Sequence, residues 1–491
     1  MSQINKSLQE ALSRCLLALL LCQPVQFFCL TEASAQVASA PTEAIASAAT
    51  TSAATTSTAT TSTTTATNFS QQYTQITKEI LQHGIEIERF SLHFRLESTK
   101  QPRFRRLRYF LSQQAGAAGI MAFEVTAVDQ FGVGRKRPLK IDSRALRGSL
   151  AATTTTLIIA STGSMFELSS NVLQMIKNKQ HGYDPKSANN YVAKKLHRID
   201  ELLAQRDAIV QAHSDDPSYA KAVAEGKVLR DMRSSFLDEY SHFNADTGAY
   251  RAYQNMFYLL NATYNGIGAW AADTGYRALA RPHLNGTTNV LFIVTGGLAT
   301  VTPIICQATG YYARHRAYKN LKKEVGSDQF NREQFAIDCK NLETSSGSID
   351  GSLIHSLPVT ERAAMYNQSR ELFTKQLDSE TKTMRKLEKV ALQSSILGPA
   401  IGSTLLTQGI LGTYGYYHYP IQPRKQINQF YCGAIVGCVG AGASLVGNTS
   451  SLLAGYSYEH KLWKQKTLPK QLIEQRLAHL DEVEKTVQSL Q

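Results

Sequence analysis

Residues 432–447 read CGAIVGCVGAGASLVG, with five glycines, two cysteines and no charge. Gly440-Ala441-Gly442 resembles part of a dinucleotide fingerprint, but a full G-x-G-x-x-G is absent and no βαβ pattern surrounds it. No Lys-Ser/Thr pair follows, as a phosphate-binding loop would need. Cys432 and Cys438 are six apart and project from different faces of a helix, a spacing that does not suit a redox pair. Small residues recurring every four positions fit better: Gly433, Gly437 and Ala441, then Gly447, Ser451 and Gly455. Helices in lipid gain little from hydrophobic contact with each other and associate by close packing, which small residues permit.

Outward from this stretch lie further chargeless tracts. A span needs ~20 mostly apolar residues to cross ~30 Å of hydrocarbon. Residues 286–313, 391–417 and 427–458 meet that need, whereas 148–166 and 252–272 are marginal, being rich in Thr, Asn and Gln. Ser394, Gly398 and Gly402 give 391–417 a small-residue face of its own, and Gly409 and Thr413 extend it. A loop through Pro420 and Pro423 then implies a tightly packed antiparallel hairpin. The fold class expected is mainly α and integral to a membrane. About five Gly/Ala/Ser-rich transmembrane helices alternate with amphipathic cytoplasmic helices. Three spans are the alternative if the two marginal tracts fail together.

The N-terminal part reads differently. Lys6 and Arg14 precede an apolar run from Cys15 to Leu30, and Ala33-Ser34-Ala35 follows, which reads as a signal peptide over 1–35 or, alternatively, an uncleaved anchor. Residues 36–67 are almost wholly Ala, Ser and Thr and suit a low-complexity tether. Residues 68–147 suggest a small extracytoplasmic α+β domain. Phe90, Leu92, Phe94 and Leu96 alternate as on a strand, Arg103 opens a short basic helix, and Ile120 opens a second strand. Arg103, Arg105, Arg106 and Arg108 suit anionic lipid or a solvated face better than nucleic acid.

Charge orients the expected spans. Arg314, Arg316, Lys319, Lys322 and Lys323 follow the third, Lys382, Arg385, Lys386 and Lys389 precede the fourth, and Lys461, Lys464 and Lys466 follow the fifth. Such clusters favour the cytoplasm, so 167–251, 314–390 and 459–491 are expected inside. Arg135, Lys136, Arg137, Lys140, Arg144 and Arg147 run against this rule on the outer side of the first span. The inner segments carry helical apolar stripes: Val192, Leu196, Ile199, Leu203 and Val210, interrupted by Arg206, and Ile473, Leu477, Leu480 and Val487 in the C-terminal helix.

The net charge of +13 is spread over these flanks. No H-E-x-x-H or G-x-S-x-G occurs, and no Cys/His spacing suits zinc. No catalytic residue, cofactor or metal is therefore expected. Helix packing is expected at Gly398, Gly402, Gly433, Gly437, Gly447 and Gly455. Asn261, Asn265, Gln307 and Gln408 are the polar residues expected to bond between helices or line a path. No acidic or basic residue falls deep in an expected span. The leading functional expectation is a structural or interaction role in an inner or cytoplasmic membrane. Its partners would be the bilayer and a protein or second copy bound through the helices, without nucleic acid. The alternative is a channel or non-coupled transporter.

Overall fold

The computed structural model describes residues 63–99, 103–215, 219–325, 330–344, 375–386, 389 and 397–488. The signal-peptide reading and the tether up to residue 62 lie outside the described residues. All regular structure among the described residues is helical: α1 (Thr63–Thr99), α2 (Arg103–Lys136), α3 (Ser143–Gln180), α4 (Pro185–Ala212), α5 (Tyr219–Ala278), α6 (Asn285–Val325), α7 (Arg332–Thr344), α8 (375–386), α9 (Leu397–His418), α10 (Pro423–Lys464) and α11 (Pro469–Gln488).

The α+β domain expected over 68–147 is corrected by this. Its two strands are parts of α1 and α2, each a single long helix, and residues 63–67 begin α1 rather than end a tether. The buried face of α1 runs through Tyr73, Thr77, Ile80, Leu81, Ile85, Glu88, Leu92 and Arg95, which is helical spacing. Two of those positions are charged and each has a partner. Arg476 Nε donates to Glu88 at 2.8 Å, and Arg95 donates to Glu239 at 3.1 Å while lying over the Phe243 ring.

Helix ends follow local chemistry. The Asp142 carboxylate accepts from the Arg144 and Ala145 amides at the start of α3, and Asp184 does so for α4, where Pro185 needs no amide partner. Between them Gly182 takes φ +74°, a backbone that favours glycine, and turns the chain back. In α3 the hydroxyls of Thr153, Thr154 and Thr155 return to carbonyls four residues earlier, so a Thr-rich stretch stays helical with its polar groups satisfied.

Two cores result. One is a helical cap in which α1, α4, α7, α11, the first half of α5 and the end of α6 bury Ile85, Leu196, Ile199, Leu229, Tyr240 and Val483 among others. The stripes of α4 and α11 are thus covered by this chain's own helices. Arg206 does not break the α4 stripe: it is 1% exposed and donates to Glu225 at 3.1 Å and the Tyr73 hydroxyl at 2.6 Å.

The second core is a ring. Helix α2 packs on α3, α3 on α5, α5 on α6, α6 on α9, α9 on α10, and α10 back on α2. Short turns at 137–142, 279–284 and 419–422 join the pairs α2–α3, α5–α6 and α9–α10 at the end away from the cap. At 1.5 Å per residue the 60 residues of α5 extend ~90 Å, long enough to serve both cores.

In the cap, Asp231 on α5 faces Asp338 on α7. Burial, then the neighbouring carboxylate, pushes Asp231 up to about 6, with Arg230 acting the other way. A carboxyl raised in the fold is best tolerated below its ordinary value of 3.8, and that contribution is lost as pH rises through about 6. Asp231→Asn should therefore raise the melting temperature at about pH 7 and leave it nearly unchanged at about pH 4. Equal shifts at both, read by calorimetry, would contradict this.

Candidate functional site

Helices opposite one another in the ring do not pack closely, and a cavity of about 170 Å³ lies between them. Helix α2 contributes one inward line: Arg105, Tyr109, Gln113, Ala117, Ile120 and Glu124. Their spacing of three or four keeps them on one face, over ~28 Å of helix. Facing them are Asn261 and Asn265 on α5, Thr295 and Thr302 on α6, and Ser444 and Asn448 on α10.

The middle of the cavity wall is an amide network. Asn261 Nδ2 donates to the Tyr109 hydroxyl at 2.7 Å, and its Oδ1 accepts from Ser164 at 3.3 Å. Asn265 donates to Gln113 at 3.3 Å and to Asn261. Gln113 in turn donates to the Ala160 carbonyl at 3.0 Å and to Ser164 at 3.1 Å. The two asparagines thus both tie α5 to α2 and α3 and border the cavity.

At the cap end Arg105 and Arg108 converge on Glu167 of α3, whose side chain is 1% exposed. Arg108 Nη2 donates to it at 2.5 Å, and Arg105 Nη2 donates to the Glu167 carbonyl at 2.8 Å. Arg106 reaches Glu459 at 3.5 Å. The basic cluster expected to face lipid or solvent is therefore largely engaged by the chain's own carboxylates.

Toward the other end stands Glu124, fully buried on α2. Gln408 Nε2 on α9 donates to Glu124 Oε1 at 2.7 Å, while Glu124 Oε2 and Gln408 Oε1 are both buried and without a hydrogen-bond partner. Sequence reasoning missed Glu124 because α2 was divided between a basic helix and a strand. A signal was present: Tyr109 to Val133 carries only Glu124 and Asp129 as charges. Gln307, expected to face inward, is exposed on the outside of α6.

The glycines divide their contacts. A Cβ at Gly402 would lie 2.5 Å from the Thr300 amide nitrogen of α6, so this helix approaches backbone to backbone there. At Gly433 the nearest atom is Gln408 of α9 at 3.4 Å, and at Gly437 the Glu124 carboxyl of α2 takes the space. Gly447 is buried in α10, Gly455 opens onto space, and the surroundings of Gly398 lie outside the described residues. Cys432 and Cys438 are both free thiols.

Outside the ring, large apolar side chains are exposed, among them Ile158 and Phe166 on α3, Ile304 on α6 and Val439, Val446 and Leu453 on α10. The segments Pro282–Val325 and Pro423–Lys485, which include α6 and α10, are long and apolar enough to cross a membrane. Among the described residues no three His, Cys, Asp or Glu side chains gather as a metal site would require. Comparison with protein-family models, curated proteins and solved structures finds no match.

Proposed function

We propose that the chain is a multi-span protein of an inner or cytoplasmic membrane whose six ring helices surround a path for a small polar solute. The observation that carries this reading is a cavity between the ring helices whose largely apolar wall carries Gln113, Glu124, Asn261 and Asn265, together with the large apolar side chains exposed outside the ring. A soluble bundle of six helices would present polar groups outward and pack its centre with apolar ones. Here the exposed side chains of α3, α6 and α10 include many large apolar groups, while the centre is left open and its apolar wall is interrupted by amides, hydroxyls and a carboxylate. Membrane proteins that move solutes need this distribution.

Six crossings, one more than the sequence expectation, put both ends of the described chain and the cap on one side of the membrane. The packing of α1 on α4 and α11 supports this, because five crossings would separate them. The cavity volume is close to that of an apolar cavity of about 150 Å³ that accepts benzene, so a solute of roughly that size fits. A scaffold role is less well supported, since the stripes on α4 and α11 that would bind a partner are buried against this chain's own helices.

Flux through liposomes carrying the full chain tests the proposal, with shrink–swell light scattering for glycerol, urea and small amides. Wild-type vesicles should equilibrate with at least one of these faster than protein-free vesicles. Asn261→Leu with Asn265→Leu should cut that rate at least tenfold with helix content retained. Permeability equal to empty vesicles for every probe would reject the proposal.

A further inference from the structure

We infer that Glu124 and Gln408 form a binding site for one monovalent cation at the wall of the ring cavity. The inference deepens the reading of the ring as a solute path and would give that path a coupling ion.

Glu124 is fully buried, borders the cavity and keeps one carboxylate oxygen without a hydrogen-bond partner. Its other oxygen accepts from Gln408 Nε2 at 2.7 Å. That single bond fixes the Gln408 amide so that its own oxygen, also buried, has no donor. Two buried acceptor oxygens of one hydrogen-bonded pair therefore each lack a donor. A buried polar atom left in that state is costly, and an isolated buried carboxylate more so. One positive charge resolves both, because it neutralises the carboxylate and is shared with the amide oxygen.

Backbone geometry makes the space. The carboxyl of Glu124 occupies the volume that a side chain at Gly437 would need, so α10 carries a glycine where α2 presents its acid. The groups facing Glu124 are the Gln408 amide from α9 and the Cys438 thiol from α10. Arg105, on the same inward line, is 19 positions away along α2, ~28 Å by helical rise, and is held by Glu167.

The charge count sets the class of ligand. With one carboxylate and no cluster of three acidic, His or Cys ligands among the described residues, a divalent ion lacks compensation. A proton or a sodium-sized ion matches one negative charge.

Calorimetry of the full chain in detergent tests the inference without any flux measurement, so failure of ion binding and failure of the conduit are separable. Choline is exchanged for sodium at constant ionic strength at about pH 9, and pH is varied from about 6 to 9 in choline. A sodium site should give a saturable rise of about 3 °C at a hundredfold excess over Kd. A proton site should give a melting temperature that falls as pH rises, beyond any fall in Glu124→Gln. Either response should vanish in Glu124→Gln, and Gln408→Leu should weaken it about tenfold. Infrared difference spectra of the wild type read the same site without a variant, through a carboxylate band that shifts with sodium or an acid carbonyl that disappears at high pH. A wild-type protein indifferent to both ions in melting and spectrum, or a Glu124→Gln variant that responds as wild type does, overturns the inference.

Discussion

Arg206→Met should destabilise the cap by about 3–5 kcal/mol, the loss expected when one partner of a buried ion pair is removed. The guanidinium is 1% exposed and donates to Glu225 at 3.1 Å, to the Tyr73 hydroxyl at 2.6 Å and to the Ala222 carbonyl at 2.9 Å. It also lies over the Tyr73 ring, 4.6 Å from the centroid and so within the ~6 Å reach of a cation–π contact. Without it, Glu225, itself 3% exposed, keeps a buried charge that has lost the Arg206 guanidinium. The double variant Arg206→Met with Glu225→Gln should recover most of the loss, because a neutral pair leaves no isolated charge. Denaturant unfolding monitored by far-ultraviolet circular dichroism reads both. A single-variant loss below about 1 kcal/mol, or a double variant as unstable as the sum of the singles, would contradict the assignment.

The second large effect concerns the seam between α6 and α9. Gly296 of α6 and Gly402 of α9 face each other: a Cβ at 296 would lie 2.8 Å from the Gly402 carbonyl oxygen, and one at 402 would lie 2.9 Å from the Ala299 carbonyl carbon. These neighbours are backbone, so no rotamer change can make room, and α9 would have to leave α6. Overpacking costs roughly 1–3 kcal/mol where side chains can give way, and this seam should reach or exceed the upper end. Gly402→Val should therefore lower the melting temperature sharply and open the ring between α6 and α9. Gly442→Ala is the control, since nothing lies within 4 Å of a Cβ there, and it should be neutral or slightly stabilising. Equal tolerance of the two substitutions would remove the close approach from the account.

How far the sequence carried the fold differs from element to element. The chargeless tracts at 286–313, 391–417 and 427–458 announce helices because length and composition suffice, and α6, α9 and α10 lie there, although 391–396 fall outside the described residues. Helix α1 was hidden by its own pairing chemistry. Its buried stripe includes Glu88 and Arg95, whose partners Arg476 and Glu239 are distant in sequence, so the apolar residues left visible alternated like a strand. Helix α2 was hidden because its inward face mixes Tyr109, Gln113, Ala117 and Glu124, which no hydrophobic period detects.

The site was half legible. Asn261 and Asn265 stand four apart on an otherwise apolar tract, which announces a shared polar face. Gln307 lies in a helix whose apolar residues favour no one side, so nothing local says which side turns inward. Gln408 acquires its role from Glu124 on another helix, and that pairing exists only in the folded ring.

Cysteine accessibility in sealed vesicles of one orientation tests the six-crossing ring most directly. Single cysteines would replace Gln75 on α1, Leu139 in the turn after α2 and Glu201 on α4, all exposed positions, in a background without native cysteine. A thiol reagent that cannot cross the membrane should label positions 75 and 201 from one side and 139 only from the other. Labelling of 75 and 201 from opposite sides, or of all three from both, would contradict a bilayer-embedded ring of six helices.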